Sequence, residues 1–338
     1  MADRIGVVVV GLGESGRWLH CRPLSRLPEY YELKGVFDAM PAAREAVAGE
    51  YSVQAYRSFD DVLADKDVRL VVVATPTRYH KELAIAAVQA GKHAVVEKPM
   101  AMNAEEALAM IEAAERAGVI LTVHKNRRWY AEFRTARKII ENGLLGRVFS
   151  IEKRNGWPPP AGGEHETWRS HKEMGGGVLN EMGSHHVDQI LLLVPSPVER
   201  VLCTTKNVFT RETEDFYRLS LWFADGTIAQ METYQTAYLP QAMWYVMGEQ
   251  GTLISEHDNN WGKMTLVRWA DGLRMTMHPD PLEGGTEEAG RFFYTALANS
   301  IQDGTELAVK PREVLRVMQV LDAARQSAAS GEVVHMRI

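Results

Sequence analysis

Three sets of residues in this chain have the types and spacing to do chemistry. The first is Gly11-Leu12-Gly13-Glu14-Ser15-Gly16, directly after the apolar run Ile5–Val10. A GxGxxG between a strand and a helix suits a pyrophosphate: the first glycine permits the tight turn, the second lets the backbone approach the phosphates, and the third lets helix and strand pack closely. Asp38 follows about 20 residues after Gly16, at the end of the second strand-like run. A carboxylate there accepts hydrogen bonds from ribose hydroxyls and repels a 2′-phosphate. NAD is therefore favoured as cofactor, while Arg44 keeps NADP as the second reading.

The second set is Glu97-Lys98-Pro99, after the run His93–Val96. Ligands of open α/β sheets bind at the carboxyl ends of the strands. An ammonium there can donate a hydrogen bond to a bound ligand, and Glu97 is adjacent to orient it. The third set is Glu181 and His185. An imidazole titrates near neutrality and can accept or donate a proton. A carboxylate four residues earlier shares its helix face and can fix its tautomer. Taken singly, each set has a plainer reading: a glycine turn, a solvated loop, a surface pair. Their context favours chemistry.

Zinc is weighed and set aside. His165, His171, His185 and His186 with Glu181 make a histidine-rich stretch, but His165-Glu166-Thr167-Trp168-Arg169 departs from HExxH at its last position. Adjacent His185 and His186 leave a helix on different faces. Cys21 and Cys203 form no CxxC, so neither a thiolate metal site nor a disulfide framework is indicated. No metal is expected.

The elements that must hold these residues change character along the chain. Up to about residue 125, apolar runs (Ile5–Val10, Leu33–Phe37, Leu70–Ala74, His93–Val96, Val119–Val123) alternate with helical stretches such as Lys81–Ala90 and Ala104–Ala117. Continuous apolar runs suit strands buried on both faces of a parallel sheet. After residue 125 come a helix at Glu132–Glu141, a strand at Val148–Arg154, a loop at Pro158–Gly163, and a helix running from the Gly175-Gly176-Gly177 turn to Leu193. Strand-like runs then dominate at Val198–Val208, Phe216–Phe223, Thr227–Thr233, Met243–Met247 and Met264–Trp269. Two helices, Arg291–Ile301 and Val314–Ala328, close the chain. The expected fold is α/β: an N-terminal Rossmann domain with a doubly wound parallel sheet over 1–125, then a substrate-binding and oligomerisation α+β domain with a large, mainly antiparallel sheet over 126–338.

Composition limits the partners. The 338 residues carry a formal charge of −6, which argues against non-specific nucleic-acid binding. No apolar run is long enough for a membrane span and no signal-peptide pattern precedes Ile5, so no membrane partner and a cytoplasmic location are expected. The substrate domain is rich in Val, Trp, Tyr and Met. A sheet face built from them would be covered by another subunit, giving a homodimer or homotetramer.

Several ordered motifs carry a family resemblance over nearly the whole chain. They are the glycine fingerprint, Ala74-Thr75-Pro76-Thr77-Arg78-Tyr79-His80, Glu97-Lys98-Pro99, His124-Lys125-Asn126-Arg127-Arg128-Trp129, and Gly175-Gly176-Gly177 leading to Gly183-Ser184-His185-His186-Val187-Asp188. Together they resemble the Gfo/Idh/MocA family of NAD(P)-dependent oxidoreductases, which includes inositol and sugar dehydrogenases. The resemblance implies that Lys98 lies beside nicotinamide and substrate, that the bond before Pro99 is cis, and that His185 moves the substrate proton. Where the family has an aspartate before this histidine, the chain has Glu181, one methylene longer. Asp188 is implied in substrate binding or in support of His185. Thr75, Pro76, His80, Glu97, Asn126, Trp168 and Arg169 are implied on the cofactor side, and Tyr294 near the nicotinamide edge.

The activity so implied is hydride transfer between a secondary alcohol of a sugar or cyclitol and nicotinamide. A variant reading uses bound NAD for transient oxidation during eliminative glycoside cleavage or epimerisation. A further one is a nucleotide- or sugar-responsive regulator without catalysis.

Overall fold

β-branched residues dictate the first sheet. The computed structural model describes residues 4–158, 167–235, 238–239, 241–255 and 262–338. Ile5–Val10 (β1) and Leu70–Val73 (β4) are buried at every position, which requires cover on both faces. With Tyr31–Phe37 (β2), Gln54–Ala55 (β3), His93–Val96 (β5) and Leu121–Val123 (β6) they form a six-stranded parallel sheet in the order β3-β2-β1-β4-β5-β6. The order reverses between β1 and β4, so the doubly wound expectation holds and the ligand crevice falls at those strand ends. The helix Ala104–Ala117 has its expected limits. Asn103 Oδ1 accepts from the Glu106 amide at 2.9 Å, and Gly118 ends it at φ 66°.

Packing divides the chain into two units: Met1–Asn126 with Thr286–Leu315, and Arg127–Gly285 with Arg316–Ile338. The return of Thr286–Leu315 to the first unit has no local sequence signal. It is fixed by distant partners: Tyr31 Oη donates to the Tyr294 carbonyl at 2.7 Å, and Thr122 Oγ1 to the Val309 carbonyl at 2.8 Å.

The second unit is built on a nine-stranded sheet. Its strands are Val148–Gly156 (β7), Val198–Lys206 (β8), Phe216–Phe223 (β9), Ile228–Tyr234 (β10), Trp244–Gly248 (β11), Gly251–Ser255 (β12), Met264–Ala270 (β13), Leu273–Met277 (β14) and Val334–His335 (β15). The order is β14-β13-β12-β11-β7-β10-β9-β8-β15, antiparallel except where β7 meets β10. Alternation selects the buried face: Tyr217, Leu219 and Leu221 of β9 lie beside Ala229 and Met231 of β10. Asp271-Gly272 closes the last hairpin with both φ values positive, 51° and 77°, as a two-residue turn between paired Ala270 and Leu273 requires. Part of the expected Pro158–Gly163 loop lies outside the described residues, as does His165. Among the described residues, no helix is long and apolar enough to cross a membrane.

Candidate active site

In the first unit, the glycine turn is a backbone-on-backbone contact. Gly11 has φ +90°, and a Cβ there would lie 2.7 Å from Ala74 C and Thr75 N. A Cβ on Gly16 would lie 2.0 Å from the Gly11 carbonyl. A Cβ on Gly13 would meet nothing within 4 Å, so the chain leaves open space at the position where a pyrophosphate must approach. Asp38 Oδ2 accepts from the Leu12 amide and Oδ1 from the Met40 amide, each at 2.8 Å. The carboxylate is thereby anchored to the turn, and lone pairs are left for ribose hydroxyls. Arg44 reaches the Asp38 carbonyl at 3.4 Å, beside that carboxylate. The Thr75 hydroxyl oxygen is buried with no hydrogen-bond partner among the described residues. These features fit a dinucleotide.

Two outcomes separate the roles of these glycines. Gly16→Ala is expected to cost about 2 kcal/mol of stability, because its Cβ meets main chain that cannot move aside. Gly13→Ala is expected to leave the melting temperature unchanged and weaken dinucleotide binding by at least about tenfold. Thermal unfolding and titration of both variants check this.

His80 and Glu97 are both internal. The His80 ring nitrogens lie 3.0 Å from the Pro99 carbonyl and 2.8 Å from the Thr75 carbonyl, tying the turn after β4 to the loop after β5. Burial lowers the His80 pKa. Glu97 Oε1 accepts from His124 Nδ1 at 2.8 Å and from His20 Nε2 at 3.0 Å, and Oε2 accepts from the Lys98 amide at 3.1 Å. Tyr294 Oη lies 2.6 Å from His20 Nδ1. Although burial alone would raise it, these donors hold the Glu97 carboxyl well below its usual range. Burial, then His124, lowers the His20 pKa to about 4. Glu97 thus fixes the main chain that carries Lys98, next to the cis Lys98–Pro99 bond. His20 and His124 sit 77 and 27 positions from Glu97, too far for any local spacing to mark them as its partners.

In the second unit, the segment Leu179–Gly183 winds with π-type turns and continues as the α-helix Ser184–Leu193. Its start is held by Glu214, whose carbonyl accepts from the Val178 amide at 3.1 Å and whose Oε1 accepts from the Leu179 amide at 3.0 Å. Glu181 forms an ion pair with Arg169 at 3.3 Å, and the Arg169 guanidinium lies 4.6 Å from the Trp168 ring centroid. Two residues expected in separate roles, Glu181 and Arg169, are therefore partners. π-type winding also shifts the four-residue facing rule on which the Glu181–His185 pairing rested.

His185 and Asp188 are buried on the Ser184–Leu193 helix. Asp188 makes a two-pronged ion pair with Arg128, at 2.7 Å and 2.9 Å. Gln189 Nε2 donates to the Arg127 carbonyl at 3.0 Å. Arg127 and Arg128 are thus pinned to the helix that bears His185, and Asn126 is a buried residue of the first unit. His186 leaves the helix for the sheet: its Nε2 donates to Asn155 Oδ1 at 2.7 Å, and Tyr217 Oη donates to its Nδ1 at 2.6 Å. Burial holds its pKa well below the ordinary value. Nearby, Lys153 is buried 3.9 Å from Glu132 Oε1 and 3.9 Å from the Trp244 ring centroid. Burial brings its pKa down to about 7, against the pull of Glu132.

Two histidines of the stretch considered for zinc have their own partners among the described residues. His171 Nδ1 lies 3.1 Å from Glu212 Oε2, and His186 is held by Asn155 and Tyr217. Among the described residues, the one group of His, Cys, Asp or Glu side chains close enough to share an ion is His20, Glu97 and His124. There both imidazoles contact the same carboxylate oxygen at hydrogen-bond distance.

Comparison with known proteins places both parts of the chain in one family. Residues 5–125 match the family model described as the oxidoreductase family with an NAD-binding Rossmann fold, and residues 133–254 match the GFO/IDH/MocA C-terminal domain. The NAD-binding protein of Listeria innocua is similar in structure, with a TM-score of 0.89 and 32% identity over 98% of this chain and 97% of that one. The scyllo-inositol 2-dehydrogenase (NADP(+)) IolW of Bacillus subtilis is 29% identical over 96% of this chain and 94% of its own length. The inositol 2-dehydrogenase of Rhizobium meliloti is 28% identical over 97% and 98%.

Proposed function

This chain belongs to the Gfo/Idh/MocA family of NAD(P)-binding oxidoreductases, and we propose that it transfers a hydride between a secondary alcohol of a cyclitol or sugar and NAD. One observation carries the reading: the glycine cradle at the β1–β4 crevice and the Lys98 main chain, pinned by Glu97 after β5, occupy one edge of one sheet. The similarity to inositol dehydrogenases of Bacillus subtilis and Rhizobium meliloti favours a cyclitol over an open-chain sugar. The nicotinamide, when bound, supplies the hydride acceptor. Lys98 Nζ donates to the substrate oxygen and stabilises its growing negative charge. The His185 imidazole accepts the hydroxyl proton. The Arg169 ion pair orients Glu181 on the segment leading to His185, and Arg128 holds Asp188 on the His185 helix. Purified protein mixed with NAD and a panel of inositols, sugars and sugar acids is expected to form NADH, read by absorbance, with cyclitols fastest. Tight NAD binding with no turnover of any polyol would instead support the sensor reading.

The preference for NAD rests on the Asp38 carboxylate, which meets a 2′-phosphate as a like charge. IolW, whose name specifies NADP(+), makes the comparison worth measuring. Asp38→Ser is expected to raise affinity for NADP relative to NAD by about tenfold or more, with Arg44 then free to face the phosphate. Equal discrimination in parent and variant would move the preference elsewhere.

A homo-oligomer belongs to the same proposal. Trp222, Ile228, Ser150, Met247, Thr252 and Val267 form one continuous cross-strand row over six strands, opposite the buried face. A row so rich in apolar groups is suited to a second copy of the sheet. Light scattering at micromolar concentration is expected to give at least a dimer, and Met247→Lys to lower that mass.

A further inference from the structure

The buried group of His20, Glu97, His124 and Tyr294 does more than fix a loop. Tyr294 Oη–H donates to His20 Nδ1, which leaves the His20 proton on Nε2 to donate to Glu97. His124 donates its Nδ1–H to the same carboxylate oxygen, and the Lys98 amide donates to the other. With both imidazoles and the Lys98 amide donating to it, Glu97 is held as the charged carboxylate. The aromatic rings of Phe293 and Tyr294 pack on His124, at centroid distances of 4.8 Å and 6.1 Å, and keep that charge out of water.

The charge stands at a particular place. Glu97 and His124 directly follow β5 and β6, at the carboxyl edge of the sheet. With Asp38 at the end of β2 serving the adenosine ribose, the other half of a dinucleotide falls over β4, β5 and β6. Lysines follow both positions, Lys98 after Glu97 and the buried Lys125 after His124. Glu97 adds a carboxylate beside these cations, at the edge approached by a ring that is itself cationic when oxidised and neutral when reduced.

We propose that the Glu97 carboxylate, held by His20 and His124, sets the protein's relative affinity for the two redox forms of its dinucleotide and favours the oxidised one. This rests on the dinucleotide reading of the glycine cradle. A fixed charge in a water-poor interior acts more strongly than one in solvent. It acts on the two forms unequally because only one carries charge on the ring.

The test is direct titration of the whole protein with NAD and, separately, with NADH, in the absence of substrate, by calorimetry. Glu97→Gln is expected to weaken NAD binding while sparing NADH, shifting the ratio of the two dissociation constants by about tenfold toward NADH. Glu97→Asp, which keeps the charge, is expected to keep the parent ratio. Should the glutamine variant not fold, the double variant Glu97→Leu with His124→Phe replaces the polar group by apolar side chains of similar volume, and the same shift is expected. An unchanged ratio in a folded, charge-free variant that binds both forms would overturn the proposal. Failure of the parent protein to bind either form would overturn the dinucleotide reading instead.

Discussion

Replacing Lys98 by methionine is expected to lower kcat by about 10²–10³-fold while NAD still binds. The size follows from what the ammonium supplies: a positioned donor where negative charge develops on the substrate oxygen. The specificity of the result follows from how Lys98 is held. Its amide is fixed by Glu97 Oε2, and Glu97 is fixed by two imidazoles, so the main chain does not depend on the ammonium for its place. Methionine keeps the aliphatic stem and removes only the charged donor. His185→Asn is expected to lower kcat by about 10²–10⁴-fold through loss of the proton acceptor. Steady-state kinetics with a titration of NAD binding check both variants. Near-normal turnover in both would remove these residues from the reaction.

Asp188→Ala is expected to destabilise the protein by about 3–5 kcal/mol, because it removes the carboxylate that the buried Arg128 guanidinium meets through two hydrogen bonds. The side chains of this pair are 7% and 3% exposed, and they meet through two hydrogen bonds. The melting temperature should fall by on the order of 10 °C. Activity at low temperature should fall as well, since the pair holds the helix bearing His185 in place. Arg128→Met combined with Asp188→Leu should recover much of the stability, as replacement of a whole buried pair by apolar groups often does. It should not recover the activity. As a contrast, Arg147→Ala breaks a pair with Glu249 in which both partners are more than half exposed, and should change stability by less than about 1 kcal/mol.

The parts of the fold that local patterns control were legible in the sequence. β1, β5 and β9 and the helix Ala104–Ala117 have the limits expected from apolar runs and caps, and Asp271-Gly272 makes its hairpin as its residue types require. Short elements were not legible: β3 has two residues, too few for any pattern, and β14 is exposed at every position. The return of Thr286–Asp303 to the first unit depends on Tyr31 and His20, far away in the chain.

The candidate site divides in the same way. Gly11, Gly13, Gly16 and Asp38 announce themselves because strand, turn and spacing are local. The environment of Glu97 does not. Adjacency suggested that its side chain serves the Lys98 ammonium, whereas its described bonds go to His20, His124 and the Lys98 amide. Glu181 pairs with Arg169, a partner that no local spacing announces. Arg128 lies 60 positions from Asp188, a distance at which only the folded chain reveals a partner.

The most direct measurement follows the hydride itself. Purified protein is incubated with NAD and an inositol deuterated at its carbinol carbons, and the NADH formed is analysed by mass spectrometry. The expected result is NADH carrying one deuterium on the nicotinamide ring, with the parent protein and not with Lys98→Met at equal times. Turnover of the polyol with no deuterium in the dinucleotide, or with no net NADH, would contradict it.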